Sequence, residues 1–360
     1  MSYKKCILII LIEFYANIIV FGQNANPSNR YADVYKQYLE ATCPFERDSI
    51  KHFIYFARDR ELIQNHPFLK VQKIVGAQIM YSWRQLEPKR GDYDFSIIYE
   101  DYNYLLSHGK KLFIQFQDVT FDTNYKPVPD YLMTEEFGGG CVKSFDDNGI
   151  ADGWITKRWN PQVQHQFALL MYALGKEFDG KIEGINLQES AVGVNVDIDS
   201  SFIPERYSEC IKENMLTLKK AFPNSTTMQY ANFMPGEWLP NEDKGYLRSV
   251  YQYGQEIGVG LGGPDLMVTR KAQLNHTIAM MHEYKYTVPL GIAIQDGNYI
   301  GITGADHDYN KKLVNGENKH KNLVPMLHAF AKDFLHVNYM FWVNQEPYFS
   351  EDVIPCLSND

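Results

Sequence analysis

The sequence predicts an α/β chain folded as a single-domain (β/α)8 barrel. Short apolar runs alternate with amphipathic segments from residue 51 onward, and eight such runs fit in roughly 300 residues. No low-complexity or Pro/Gly-rich linker divides the chain after residue 28, and no solenoid-period repeat is present. Alternation of this kind leads to a parallel sheet covered by helices, and closure into a barrel uses all eight strands.

The runs are 52–57, 73–81, 112–117, 182–187, 227–233, 258–262, 290–294 and 339–343, each rich in β-branched, aromatic or glycine residues and bounded by turn formers. Between them, 94–108, 162–178, 204–222, 242–256, 271–286 and 321–335 carry apolar residues at helical spacing. Pro161 and Pro204 stand where a first helical turn tolerates proline. An open doubly wound sheet is the competing architecture. It places a glycine-rich phosphate loop after the first strand, where this chain has Ala57-Arg58-Asp59-Arg60. Gly138-Gly139-Gly140 lies in a long connection and reads as a flexible loop.

Lys4 and Lys5 precede an apolar stretch broken by Glu13 and Asn17 and ending at Gly22. This pattern is that of a secretory signal peptide over 1–22, with an uncleaved membrane anchor as the alternative. The expected organisation is therefore a signal over 1–22, an N-terminal extension and helix over 23–50, and the barrel over 51–360. Localisation is then secreted or periplasmic, with no stable membrane span in the mature chain. The net charge of −9 argues against nucleic acid or an anionic membrane as the main partner. Beyond Cys6 in the signal, Cys43, Cys141, Cys210 and Cys356 allow two disulfides in three connectivities. Cys43 with Cys356 is the favoured pair because barrel termini lie close together, and four buried thiols are the alternative.

A barrel of this type carries its chemistry at the C-terminal ends of the strands. Those ends hold Arg58 and Asp59; Tyr81, Trp83 and Arg84; Gln117 and Asp118; Gln188 and Glu189; Tyr230, Asn232 and, further on, Glu237 and Trp238; Asp265; Gln295, Asp296 and Asn298; and Trp342, Asn344, Gln345 and Glu346. Amides, carboxylates, arginines and aromatic rings together suit a sugar, whose C–H faces stack and whose hydroxyls pair with planar polar groups. Aromatics at 14% fit this, and equally fit a large aromatic core.

One stretch carries a resemblance. Tyr81-Ser82-Trp83-Arg84-Gln85-Leu86-Glu87-Pro88-Lys89-Arg90-Gly91-Asp92-Tyr93-Asp94-Phe95 resembles the second βα unit of the retaining (β/α)8 glycoside hydrolases, a superfamily with β-galactosidase-like, cellulase-like and mannanase-like members. Ile185-Asn186-Leu187-Gln188-Glu189-Ser190 is similar to its fourth strand end, and Met340-Phe341-Trp342 to its eighth. The resemblance implies a carbohydrate substrate, Glu189 as general acid/base and Trp342 as the pocket floor, with Arg58, Trp83, Gln117, Gln188, Asn232 and Asn344 binding substrate. Glu87 in its turn is read as structural.

Two departures stand out. Gln188 replaces the usual Asn before the acid, and the seventh strand ends in Gln295-Asp296-Gly297 without a Glu. Asp296 is then the candidate nucleophile, or the base of an inverting enzyme, with a turn-forming Asp-Gly as the plain alternative. Glu346 is the other candidate for the second carboxylate. A catalytically inactive barrel that binds glycan is the alternative function. Arg58 and Arg84 read first as salt-bridge partners of Asp59, Asp118 or Glu87. No cofactor and no metal are implied. Asp306 to Glu317 echoes a calcium loop, but Lys311 stands where the sharp turn needs glycine. HExxH and GxSxG are both absent. Asn224 and Asn275 stand in glycosylation acceptor triplets.

Overall fold

The structure is a computed structural model that describes residues 29–146, 148–304 and 322–358. The expected signal peptide and the Asp306–Glu317 segment lie outside the described residues. Eight parallel strands close a barrel: β1 (Lys51–Tyr55), β2 (Ile74–Ser82), β3 (Lys111–Gln117), β7 (Gly184–Leu187), β8 (Thr226–Tyr230), β9 (Gly260–Gly263), β10 (Leu290–Ile294) and β11 (Tyr339–Val343). β11 pairs back onto β1, Lys51 opposite Tyr339. All eight lie within or beside the apolar runs of the sequence.

The strands are apolar on both faces because one face fills the barrel and the other carries helices. Inside, Phe53, Phe113, Tyr339 and Phe341 pack with ring centroids 5.0 to 6.2 Å apart. Glycine makes room for them: a Cβ on Gly184 would lie 2.7 Å from the Phe113 ring. Below this layer Glu183 accepts from Lys51 Nζ at 2.5 Å, Lys111 Nζ at 2.6 Å and the Tyr339 hydroxyl at 2.9 Å. This cluster stands at the N-terminal end of the barrel. Above the aromatic layer the interior turns polar, with Gln78 Nε2 donating to Asn186 Oδ1 at 2.9 Å and to the Tyr230 hydroxyl at 3.0 Å.

The helix Pro161–Phe178 starts at Asn160, whose side chain accepts from the Gln162 and Val163 amides, and buries Val163, Phe167, Leu170, Met171, Leu174 and Phe178. Helices Ser96–Ser107, Pro204–Ala221 and Tyr246–Ile257 match the expected segments within a few residues. The expected helix over 271–286 is broken into Lys271–Asn275 and Thr277–Glu283. His276 Nδ1 contacts the Ala272 carbonyl and Thr277 Oγ1 donates to the Asn232 carbonyl, so two side chains are drawn to other partners at the break. The first βα unit has only short 3-10 turns, Arg60–Ile63 and Pro67–Lys70.

Between β3 and β7 the chain adds a three-stranded antiparallel sheet, β4 (Val119–Thr120), β5 (Cys141–Phe145) and β6 (Ala151–Thr156). The glycine run read as a flexible loop is an ordered turn into β5. Gly138, Gly139 and Gly140 take φ of 58°, 80° and 55°, and a Cβ on Gly140 would fall 2.0 Å from the Leu132 carbonyl oxygen. Asn275 is 1% exposed, which closes it to glycosylation in the fold.

The segments that flank the barrel meet. Cys43 and Cys356 are disulfide-bonded with Cα atoms 4.6 Å apart, and Cys141 and Cys210 are buried thiols, so the chain carries one bridge among the described residues. The bridge closes a loop of 313 residues, which limits the unfolded chain. Cys43→Ser is expected to lower the stability of the oxidised protein by about 2–4 kcal/mol in urea unfolding. Dithiothreitol should shift the unmutated chain similarly and leave Cys43→Ser where it was.

Candidate active site

β7 ends at Leu187, and the next residues form the most heavily braced segment of the barrel mouth. Gln188 Oε1 accepts from the Asp118 and Val119 amides, both at 2.8 Å, joining the third strand end to the fourth. Gln229 Nε2 donates to the Gln188 carbonyl at 2.7 Å, and Arg158 Nη1 to the Glu189 carbonyl at 2.7 Å. Ser190 Oγ donates to the Phe233 carbonyl at 2.6 Å. The backbone of Glu189 is thus held from β3, β8 and the loop after β6, which leaves its side chain one main freedom, and Asn232 Nδ2 takes that by donating to Oε2 at 2.7 Å.

Arg158 is the strut of this arrangement. It is 4% exposed and grips Asp118 with two bonds, Nε to Oδ2 at 2.7 Å and Nη2 to Oδ1 at 2.6 Å, and Nη1 also meets the Tyr207 hydroxyl at 3.0 Å. A buried guanidinium and carboxylate each need the other, and the bidentate geometry fixes their orientation.

The Glu189 carboxyl is pushed up to about 7, first by burial and next by the charge of Asp265, against the opposing pull of Asn232, Arg158 and Arg270. Asp265 follows β9. It accepts from Asn298 Nδ2 at 3.0 Å, and Asn298 Oδ1 in turn accepts from the Gln295 amide at 3.0 Å. Burial raises the Asp265 carboxyl, while Asn298 and Arg270 favour its ionised form. Tyr55, at the end of β1, has its hydroxyl pushed well above its usual range by burial and by the surrounding Tyr230, Asp296, Asp265 and Glu189. Between these groups lies a cavity of about 100 Å3 lined by Tyr55, Met80, Gln115, Gln117, Val119, Thr120, Phe121, Gln188, Glu189, Pro264 and Gln295.

The structure brings together Gln117, Gln188, Asn232 and Glu189 from the sequence-based set. Asn232 acts on Glu189 itself. Asp296 lies at the mouth but is exposed; its carboxyl is raised by partial burial and by Asp59, and the carboxylate that acts on Glu189 is Asp265. Glu346 is exposed, accepts from the Ser350 amide, and does not line the cavity. Asn344 pairs with His66 at 3.2 Å. Arg58 pairs with Asp122 at 3.4 Å and lies over the Tyr125 ring at 4.4 Å, and Arg84 pairs with Asp130.

Two expectations are corrected. Trp342 does not floor the cavity. It alternates with the inward Phe341 and Val343, so it faces out from the barrel wall, fully buried, with Nε1 donating to His52 Nδ1 at 3.0 Å. Trp83 is also buried against the barrel exterior, packed on Phe116 and Phe167, and donates from Nε1 to Glu87 Oε2 at 2.8 Å. Glu87 accepts as well from the Gly91 amide and Gln166, so it organises the turn, as read from the sequence.

Sequence reasoning missed Arg158, Tyr55 and Gln115 and gave Asp265 no role. Gln115 and Gln117 carried a signal: two amides two residues apart in a buried strand face the same way. Arg158 carried none, since its partner lies 40 positions away. One group of metal-ligand type is present among the described residues, Asp48 with His52 and His328. Trp342 donates into His52 Nδ1, which leaves the proton on Nε2 facing Asp48. That nitrogen has no lone pair for a metal, and the group reads as a hydrogen-bonded tie of the N-terminal segment to the barrel.

The sequence matches no family model and no curated protein. The fold is similar to that of a family 39 glycoside hydrolase from Bacteroides cellulosilyticus, with TM-score 0.51 and 11% identity over 81% of this chain and 56% of that one. This chain therefore spans little more than half the length of that enzyme. Endo-glycoceramidase II from Rhodococcus sp. aligns with TM-score 0.47 and 12% identity over 84% and 75% of the two chains. Xylanase 10B from Thermotoga petrophila aligns with TM-score 0.45 and 13% identity over 82% of each. What the first of these shares with this chain is the barrel.

Arg158→Leu is expected to destabilise the chain by about 3–5 kcal/mol in urea unfolding, because Asp118 is left as an unpaired buried charge. Arg158→Leu with Asp118→Leu should recover much of that loss. A second outcome follows from Glu189. Its raised carboxyl gives a stability term that is full below about pH 4.5 and lost as pH rises through about 7. Glu189→Gln removes that loss, so it should melt a few degrees above the unmutated protein at about pH 8.5 and level with it at about pH 4.

Proposed function

We propose that this chain is a glycoside hydrolase that cleaves an O-glycosidic bond between two carboxyls, Glu189 and Asp265. The observation that carries the reading is the placement of Glu189, half-buried at the barrel mouth and held by Asn232 and Arg158, where burial and the charge of Asp265 push its carboxyl up to about 7. Cleaving an acetal needs a proton for the leaving oxygen and a negative group facing the carbon that becomes oxocarbenium-like. Glu189 supplies the proton. Asp265, with the Asn298 N–H on its oxygen and Arg270 nearby, holds the negative charge. Burial raises both carboxyls, and the reading gives the proton to Glu189 and the charge to Asp265, on which Asn298 and Arg270 act.

Asp265 then either attacks the anomeric carbon or takes a proton from an attacking water, according to the separation of the carboxyls around the bound sugar. Asp296, the sequence-based choice for this role, is the exposed alternative. The strand 2 turn and the barrel's likeness to a family 39 glycoside hydrolase support the carbohydrate substrate. Export to the periplasm or beyond fits the charged, apolar start of the chain and the Cys43–Cys356 bridge, a bond that oxidising compartments preserve.

A panel of aryl glycosides and polysaccharides tests the reading. Glu189→Gln should lower turnover by about 10²–10⁴. Asp265→Asn should fall comparably, while Asp296→Asn stays within about tenfold. The rate of the unmutated enzyme should decline as pH rises through about 7, where Glu189 loses its proton. Unchanged turnover in Glu189→Gln rejects the mechanism. Loss in Asp296→Asn with activity kept in Asp265→Asn moves the second role to Asp296. Hydrolysis of no glycoside, with glycan still bound, favours the inactive binding barrel.

A further inference from the structure

Tyr55 ends β1 with its side chain turned into the barrel. It stands two positions beyond Phe53, which packs in the interior aromatic layer, and alternate residues of a strand share a face. The residue is 5% exposed and lines the Glu189 cavity, and its hydroxyl has no hydrogen-bond partner among the described residues. The Tyr299 hydroxyl is also unpaired, but it is sealed inside the fold; that of Tyr55 is not sealed and opens on the cavity. The Tyr230 hydroxyl, by contrast, is used within the protein, where it accepts from Gln78 Nε2 at 3.0 Å.

The fold itself has no use for this O–H. Phenylalanine would fill the same place in the wall and bring no polar group to be stripped of water. Burial, with Tyr230, Asp296, Asp265 and Glu189 around it, holds the proton on the phenol far above the usual range. The group therefore stays neutral at working pH and is neither base nor nucleophile. It remains a fixed hydrogen-bond donor. Glu189 and Asp265 act on it through their charge, yet neither accepts from it. Its acceptor comes from what enters the cavity. The backbone keeps the donor in place: Tyr55 pairs with Val343 on one side and Gln78 on the other, and its carbonyl accepts from the Asn344 amide at 3.2 Å.

We propose that Tyr55 is a substrate-contacting residue of the cleavage site, whose O–H donates to an oxygen of the sugar seated beside Glu189. Its role is to bind and orient, and no proton passes through it. The inference rests on the glycoside hydrolase reading for the identity of the ligand and adds a residue that the reading does not use. A ligand that enters drives solvent from the cavity, so a phenol without its bond is then penalised and the correctly placed sugar is favoured. In the empty site the same O–H contributes nothing to stability. Binding and stability are thereby separated at this position, which an ordinary packing residue would not allow.

Tyr55→Phe removes one oxygen and tests both halves. Urea unfolding of the free protein should give a midpoint equal to or above that of the unmutated chain. Oligosaccharides of glucose, xylose, mannose and galactose are titrated by calorimetry into Tyr55→Phe and the unmutated chain, and again into both in the Glu189→Gln background. At least one should bind the unmutated chain and bind Tyr55→Phe about tenfold or more weakly in either background. Turnover of that glycan should fall in Tyr55→Phe while its decline through about pH 7 stays in place, since Glu189 sets it. Equal binding in the two proteins, no binding of any oligosaccharide, or a Tyr55→Phe chain that unfolds earlier in urea or fails to fold each overturns the inference. Glu189-dependent hydrolysis that is equal in Tyr55→Phe overturns it and leaves the hydrolase reading standing. Binding that weakens in Tyr55→Phe without any hydrolysis supports it and removes that reading.

Discussion

Two carboxyls set in one poorly solvated mouth cannot both ionise at neutral pH without strong repulsion, and the rest of the site is arranged around that constraint. Glu189 is raised to about 7 by burial and by Asp265, while Asp265 has an amide N–H from Asn298 that favours its ionised form. The asymmetry is small in atoms and large in consequence. In the proposed mechanism one acid keeps a proton to give, and the other keeps a charge to face a developing cation. Either group alone on a solvated loop would have an ordinary carboxyl and no division of roles.

Such a pair needs rigid support, since a buried acid that drifts into solvent loses its raised pKa. The support comes from groups remote in sequence. Arg158 locks Asp118 and the Glu189 carbonyl, Gln188 ties the third strand end to the fourth, and Asn232 holds the carboxyl itself. These bonds are charge-assisted or buried, so each restricts geometry more than an exposed contact would. At the other end of the barrel, Lys51 and Lys111 on Glu183, the Asp48 tie and the Cys43–Cys356 bridge secure the closing strands and the chain ends. The barrel thus keeps its stabilising features at the N-terminal face and its poised acids at the C-terminal face.

The fold was legible because strand and helix are written in local patterns. All eight apolar runs became barrel strands, and Pro161 announced a helix start that the structure uses. The break at His276 was invisible because it depends on tertiary partners, Ala272 through the ring and Asn232 through Thr277. The site was half legible. Position at a strand end pointed to Glu189, Gln188, Gln117 and Asn232. It misplaced Trp83 and Trp342, since nearness to a strand end does not say which face of the wall a side chain takes, and a register of one residue reverses the answer. It passed over Asp265 because that residue lies beyond Gly263-Pro264, where loop geometry decides the direction of the chain. Arg158 lies just after an inserted sheet with no counterpart in the simple strand-helix repeat.

Titration of the carboxyls reports the coupling of Glu189 to Asp265 directly. Carbon-13 NMR of the side-chain carboxyls, followed across pH in the unmutated chain and in Asp265→Asn, isolates the Glu189 signal by its absence in Glu189→Gln. The coupling puts the Glu189 midpoint at about 7 and moves it down when Asp265 loses its charge. A midpoint in the ordinary glutamate range, or one that stays in place in Asp265→Asn, would contradict it.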